Sequence, residues 1–215
     1  LQKNKRNTRG AAYLKIYIPN GAALDANAVS ADIHVSDLDA SMLRVYSVSG
    51  ELKVNGKYGE ADVKTVSGDI ILSLDCDDLD VQTVSGDVVG NKTMEVVSFN
   101  GQSVSGEFLL HLDNVDKISV NSTSGDIDLF VHHFNKGKIE GKTLSGEINI
   151  GFSEQIEAYF DLSTMSGSIR DRVFGNKPET KKYGPGENLN FSNGKGDNRV
   201  YLNTFSGDIK MELID

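Results

Sequence analysis

Nine copies of one seven-residue phrase run along this chain of 215 residues. KTVSGDI at 64–70 is the plainest copy. Others are YSVSGEL (46–52), QTVSGDV (82–88), QSVSGEF (102–108), NSTSGDI (121–127), KTLSGEI (142–148), STMSGSI (163–169) and NTFSGDI (203–209), with NAVSADI (27–33) as a worn first copy. The central serines are Ser30, Ser49, Ser67, Ser85, Ser105, Ser124, Ser145, Ser166 and Ser206. Their spacings are 19, 18, 18, 20, 19, 21, 21 and 40 residues, the last being two periods. So short a unit cannot bury an apolar side alone. Stacked on its neighbours it can, which is the logic of a solenoid.

Aligned on the serine, the copies form columns. Three residues after it stand Ile33, Leu52, Ile70, Val88, Phe108, Ile127, Ile148, Ile169 and Ile209, with no polar member. Six residues before it stand Leu24, Leu43, Ala61, Leu79, Phe99, Ile118, Ile139, Phe160 and Val200. Apolar positions alternate within each copy, which is strand periodicity. The parity changes once, between a Thr/Ser column and the apolar residue after it. Each copy therefore reads as a strand, a corner at VSG with its Val facing inward, a second strand and a variable polar loop. The loops are NGKYGE (55–60), DCDD (75–78), DNVD (113–116) and FNKGK (134–138), all turn chemistry. The expected fold is all-β, a single-stranded parallel β-helix, right-handed, with coils of about 20 residues. Nine or ten coils stacked in sequence order, about 4.8 Å apart, make a rod on the order of 45 Å long. Gly50, Gly68, Gly86, Gly106, Gly125, Gly146, Gly167 and Gly207 mark the corner, where positive φ or close backbone approach is needed. Ala31 in the first copy points to a steric requirement that can be relaxed.

The repeats imply one domain over 12–215, preceded by a disordered or linker remnant at 1–11. AYLKIYIPN (12–20) reads as a lead-in strand ended by Pro19, with Tyr13, Lys15 and Tyr17 opposite Leu14, Ile16 and Ile18. Residues 175–198 read as an excursion. Its first part, with two of the three prolines, is an exposed loop; NLNFS and RVYLN around NGKGDN then signal a hairpin.

A formal charge of −9 disfavours nucleic acid as a partner and docking on anionic lipid. No run of 18 apolar residues exists, so this fragment is not expected to insert into a membrane. The chain starts at Leu1, not methionine, and reads as a fragment or mature region, upstream of which a signal peptide or membrane anchor could have stood. The single cysteine, Cys76, excludes an internal disulfide and a multi-cysteine zinc cage. Its acidic surroundings disfavour a reactive thiolate.

Several columns could carry chemistry. Asp32, Glu51, Asp69, Asp87, Glu107, Asp126, Glu147 and Asp208 form an acidic ladder after the corner glycine. Such a ladder must face water or hold cations, and calcium takes carboxylate oxygens. Its plain role is to accept hydrogen bonds at the corner and keep one face wet. The column Ser47, Thr65, Thr83, Ser103, Ser122, Thr143, Thr164 and Thr204 could present hydroxyls to a glycan or to ice, or support the corner locally. His34, His111, His132 and His133 occupy different repeat positions and form no ligand set. Lys181, Lys182 and Tyr183 in the excursion make a candidate binding loop. No GxSxG, P-loop or HExxH motif appears, no catalytic residue stands out, and no cofactor is implied beyond calcium on the ladder.

The repeated TVSGDI with flanking alternating strands resembles the bacterial adhesin-like β-repeat family, a domain of unknown function related to the toast-rack domains of cell-envelope proteins. The resemblance covers residues 12–215, from the opening strand ending in Ile18–Pro19 to NTFSGDIKMEL. It implies a parallel β-helix at the bacterial cell surface or envelope, tethered through an upstream segment. It transfers no catalytic residue. The functional expectation is a non-enzymatic binding or scaffolding module whose partner is a cell-wall or surface glycan or an envelope protein. The alternatives are a polysaccharide-acting β-helix enzyme, whose carboxylates would have to gather at one place, and a structural protein that polymerises end to end.

Overall fold

The computed structural model describes residues 14–180 and 184–214. They form an all-β parallel solenoid of about seven turns of roughly 19 residues. The strands are β1 (Leu24–Ser30), β2 (Ile33–Ser49), β3 (Leu52–Ser67), β4 (Ile70–Thr83), β5 (Val88–Gly90), β6 (Met94–Ser103), β7 (Phe108–Asp113), β8 (Val115–Ser124) and β9 (Ile127–Val131). They continue as β10 (Phe134–Ser145), β11 (Ile148–Phe152), β12 (Ala158–Ser166), β13 (Ile169–Asp171), β14 (Glu179–Thr180), β15 (Glu187–Asn193), β16 (Asn198–Ser206) and β17 (Ile209–Leu213).

Equivalent residues of successive copies pair in parallel, as the columns require. Leu24 pairs with Leu43, Leu43 with Ala61, Ala61 with Leu79, Leu79 with Phe99 and Phe99 with Ile118. Expected stacking in sequence order fails at the end. β10 pairs with β16, not β12, and β16 pairs on its other side with β12. The same exchange holds after the corner, where β17 lies between β11 and β13. The last copy is thus intercalated between the seventh and eighth. The double-length gap makes this possible: β15 runs antiparallel along the outer side of β12, and the chain then returns on its inner side. β15 and β16 hold β12 between them, so the expected hairpin of paired NLNFS and RVYLN is corrected to a clasp around a third strand. The turn is tied to the chain it wraps. Asn193 Nδ2 donates to the Ile156 carbonyl at 2.9 Å and Asn198 Nδ2 to the Glu157 carbonyl at 3.0 Å.

The corner also differs from expectation. The Thr/Ser column points inward: Ser47, Thr65, Thr83, Ser103, Thr143, Thr164 and Thr204 are all buried. The residue after it points out, with Val84, Val104, Leu144 and Phe205 44–54% exposed. The parity change therefore falls at Ser-Gly-Asp, and the Val of VSG lies outside the core. Alternation carries the inward side through the hydroxyl, and the S-G-D bend sets the next inward residue at Ile. Apolar character alone misassigned this column.

The glycine requirement is steric. A Cβ on Gly68, Gly86 or Gly106 would lie 2.0–2.1 Å from the carbonyl oxygen of the corner glycine one coil before. Gly50 adds a φ of +122°, a conformation costly for other residues. Ala31 belongs to the end coil and pairs only toward β2, so its methyl meets no earlier glycine.

The core fills by complementary sizes. Phe99 and Phe108 meet edge to face with centroids 6.3 Å apart, over Gly101, where a Cβ would come within 2.9 Å of both rings. Met94, fully buried, reaches the space beside Gly90. NGKYGE and DCDD are not loops: they continue in β3 and β4, pairing Tyr58 with Cys76. Both side chains face inward and are 5% exposed. Asp171 ends the second-arm column at the capped end. Its carboxylate accepts from the backbone N–H groups of Val173, Phe174 and Asn176 at 2.9–3.0 Å. At the other end, residues 14–18 form no strand and expose Leu14, Ile16 and Tyr17. Tyr13 lies outside the described residues. Among the described residues no strand pairs with 14–18, and without a partner an extended segment has no ladder to join.

Candidate functional site

The acidic ladder divides by side-chain length. Each of its five aspartates accepts a backbone N–H from the equivalent residue of the next coil in space. Asp32 takes Glu51 N at 2.9 Å, Asp69 takes Asp87 N at 3.1 Å and Asp87 takes Glu107 N at 3.0 Å. Asp126 takes Glu147 N and Asp208 takes Ser168 N, both at 2.8 Å. The last bond follows the intercalated geometry, since Asp208 serves Ser168, which precedes it by 40 residues. None of the three glutamates makes this bond among the described residues. Glu51 instead pairs with Lys53 and Glu147 with Lys210, each at 2.6 Å. The Ser168 N–H is the main reason the Asp208 carboxyl sits below the usual range. Glu107 has no cation among the described residues: burial, then Asp128, Asp87 and Asp126, push its carboxyl up. The ladder's first task is thus to close the corner hydrogen bonds. No group of three or more His, Cys, Asp or Glu able to hold a metal is present among the described residues.

The buried hydroxyl column faces neither glycan nor ice. Thr143, Thr164 and Thr204 donate to the carbonyls of Gly125, Gly207 and Gly146 at 3.0–3.3 Å. Thr65, Thr83, Ser103 and Ser122, on four successive coils, have no protein partner for their hydroxyls.

Two histidines, His111 and His132, meet on neighbouring coils. His111 stacks on Phe130 with centroids 4.6 Å apart and lies 6.2 Å from His132. Burial first, then His132, lowers the His111 pKa. His133 Nδ1 is 2.6 Å from Asp113 Oδ1. Cys76 is a buried thiol donating to the Asp78 carbonyl at 3.0 Å, and burial pushes its pKa up to about 12.

The outward face of the strands before the corner (the first arm, those after it being the second) has segregated charge. On β3 and β4 it carries Glu60, Asp62, Asp78 and Asp80, with Lys64 paired to Asp62 at 2.9 Å. Further along, Lys117, Lys138 and Arg199 stand in register on β8, β10 and β16, followed by Tyr159 on β12. The next outward row is Ser119, Glu140, Tyr201 and Asp161, and the third is Asn121, Lys142, Asn203 and Ser163. Glu140 contacts Lys138 at 2.8 Å and Lys142 at 3.9 Å. The Lys138 hydrogen bond, opposed by burial and joined by the charges of Lys138, Lys142 and Lys117, holds the Glu140 carboxyl below its usual range. The Lys138 ammonium lies 5.0 Å from the Tyr201 ring centroid, and Tyr159 meets Tyr201 edge-on at 6.2 Å.

Column alignment on the phrase could place Lys117 beside Lys138. It could not place Arg199 and Tyr201 there, because that needs the intercalation. Lys181, Lys182 and Tyr183, the expected binding loop, lie outside the described residues.

Among known proteins, no curated protein and no solved structure matches this chain. The profile of one family does match, twice, over residues 20–143 and 114–212, so that the two matches together run from just before β1 to β17. Its coverage coincides with the solenoid described above, and the chain belongs to the Toastrack DUF4097 family.

Proposed function

We propose that this chain is a non-enzymatic module of the bacterial cell surface or envelope that binds or scaffolds in an adhesin-like manner. Membership of the Toastrack family suggests a surface- or envelope-associated solenoid module. The observation that carries the binding role is the first-arm face, where outward side chains repeat in register over β8, β10, β16 and β12. Such a surface suits an extended partner, whereas small ligands are held in concave sites. Against a polysaccharide-cleaving role stands the even spread of the carboxylates, since hydrolysis needs two of them at one position.

Co-sedimentation with purified bacterial cell walls, in calcium and in chelator, tests this. Saturable association is expected in both conditions, because the ladder aspartates already serve backbone N–H groups. Absence of association in both conditions would remove the envelope-binding reading.

A further inference from the structure

Three cations in register on adjacent parallel strands need an explanation. Strands sit about 4.8 Å apart, and like charges directly opposite one another destabilise a sheet. Lys117, Lys138 and Arg199 are such a row, in a chain of net charge −9. Lys142 adds a fourth cation two rows away, 56% exposed. Within the three rows only Glu140 forms an ion pair with them; Lys117 and Arg199 have no carboxylate within 4.0 Å among the described residues. The repulsion is compensated when an anion lies along the row.

The surroundings define the anion. The rows extend in register over four strands, which favours a polymer over a small ion. Tyr201 and Tyr159 offer ring surfaces beside the charges, Tyr159 being 37% exposed. Asn121 and Asn203 add amides able to bond hydroxyls. Cations in line, aromatic rings and amides together suit a chain of sugars bearing repeated carboxylates. The acidic half of the same face, with Glu60, Asp62, Asp78 and Asp80, confines that chain to the β8–β12 end.

We propose that the platform formed by β8, β10, β16 and β12 binds a linear carboxylated polysaccharide, with Lys117, Lys138, Lys142 and Arg199 meeting its acid groups and Tyr201 and Tyr159 its rings. This rests on the reading that the molecule works by binding, and it names the ligand class. The platform exists only because β16 is intercalated: in sequence order, β12 would bring Tyr159 against Lys138 and exile Arg199.

The test is affinity electrophoresis of the full chain through gels containing polygalacturonate, with dextran and an oligothymidylate as comparison polymers. Polygalacturonate should retard the protein and dextran should not. The K138Q/R199Q variant should bind at least about tenfold more weakly, and so should the wild type when salt rises from about 50 to about 200 mM. K53Q, on the second arm, should match the wild type. Lack of retardation, undiminished retardation of K138Q/R199Q, or equal affinity for the oligothymidylate overturns the assignment. Cell-wall co-sedimentation separates the two readings. Wall binding that survives K138Q/R199Q keeps the envelope module and removes this site from it. Polygalacturonate binding without wall binding does the reverse.

Discussion

Thr83 and Thr204 occupy the same repeat position, both buried, and differ by one bond. The Thr204 hydroxyl donates to the Gly146 carbonyl at 3.1 Å, whereas that of Thr83 has no protein partner. A buried unpaired hydroxyl costs about 1–3 kcal/mol, and a made bond contributes about 1. T83V should therefore raise unfolding stability by about 1 kcal/mol and T204V lower it by a similar amount. Urea midpoints at unchanged slope measure both; equal losses would show that Thr83 is paired. The glycines give a second contrast. G106A places a methyl against the Gly86 carbonyl and should cost about 3 kcal/mol or more. A31G, at the end coil, should cost no more than about 1 kcal/mol. The glycine column was plain in the sequence; Ala31 pointed to a partly steric requirement but left positive φ and close backbone approach as alternatives. Which side the valine took was not plain. Val and Thr share size and strand preference, and only the bend at Ser-Gly-Asp decides which of them goes in.

At the level of the strand and its corner, Asp and Glu are not interchangeable. The short side chain reaches the N–H of the next coil; the long one does not, and Glu51 and Glu147 pair with lysines instead. The pH response follows with opposite signs. Asp208 has a lowered carboxyl, so its stabilisation is present above the ordinary aspartate range and lost as pH falls through its folded value. Glu107 has a raised carboxyl, so its contribution is complete below the ordinary glutamate range and is lost as pH rises through its folded value. At neutral pH, D208N should be less stable than the wild type and E107Q more stable, and both differences should shrink in acid. Stability curves between acid and neutral pH decide this; an E107Q advantage that persists in acid would contradict the burial argument. The sequence showed the acidic column and its corner role. It did not show the division of labour, which depends on reach measured across the stack.

The whole molecule departs from its sequence in one respect, the order of its coils. Repeat periodicity specifies which residues may pair, and every copy carries the same pairing edges. It does not say which copy lies next to which, because a strand of the last copy fits either neighbour in the same register. The clasp of β15 and β16 around β12 makes that choice, through Asn193 and Asn198 at the wrapping turn. N193A/N198A should loosen it. Hydrogen exchange should then quicken together in 138–145, 158–166 and 198–206 while β2 to β4 keep their protection. Faster exchange confined to the turn would mean that the intercalated strand stands without the clasp.

The intercalated copy has a consequence for how such a chain can change length over generations. Its final turn is placed by a detour around the eighth copy, so the distal quarter is one inseparable assembly. Duplicating or losing a 19-residue turn there would break the detour. Between β2 and β8, each turn meets the next through the same columns and the same corner, so a whole unit can be spliced in or out while both terminations stay intact. Descent by unequal duplication would then write its record in the proximal coils alone, leaving the end that carries Arg199 and Tyr201 unaltered.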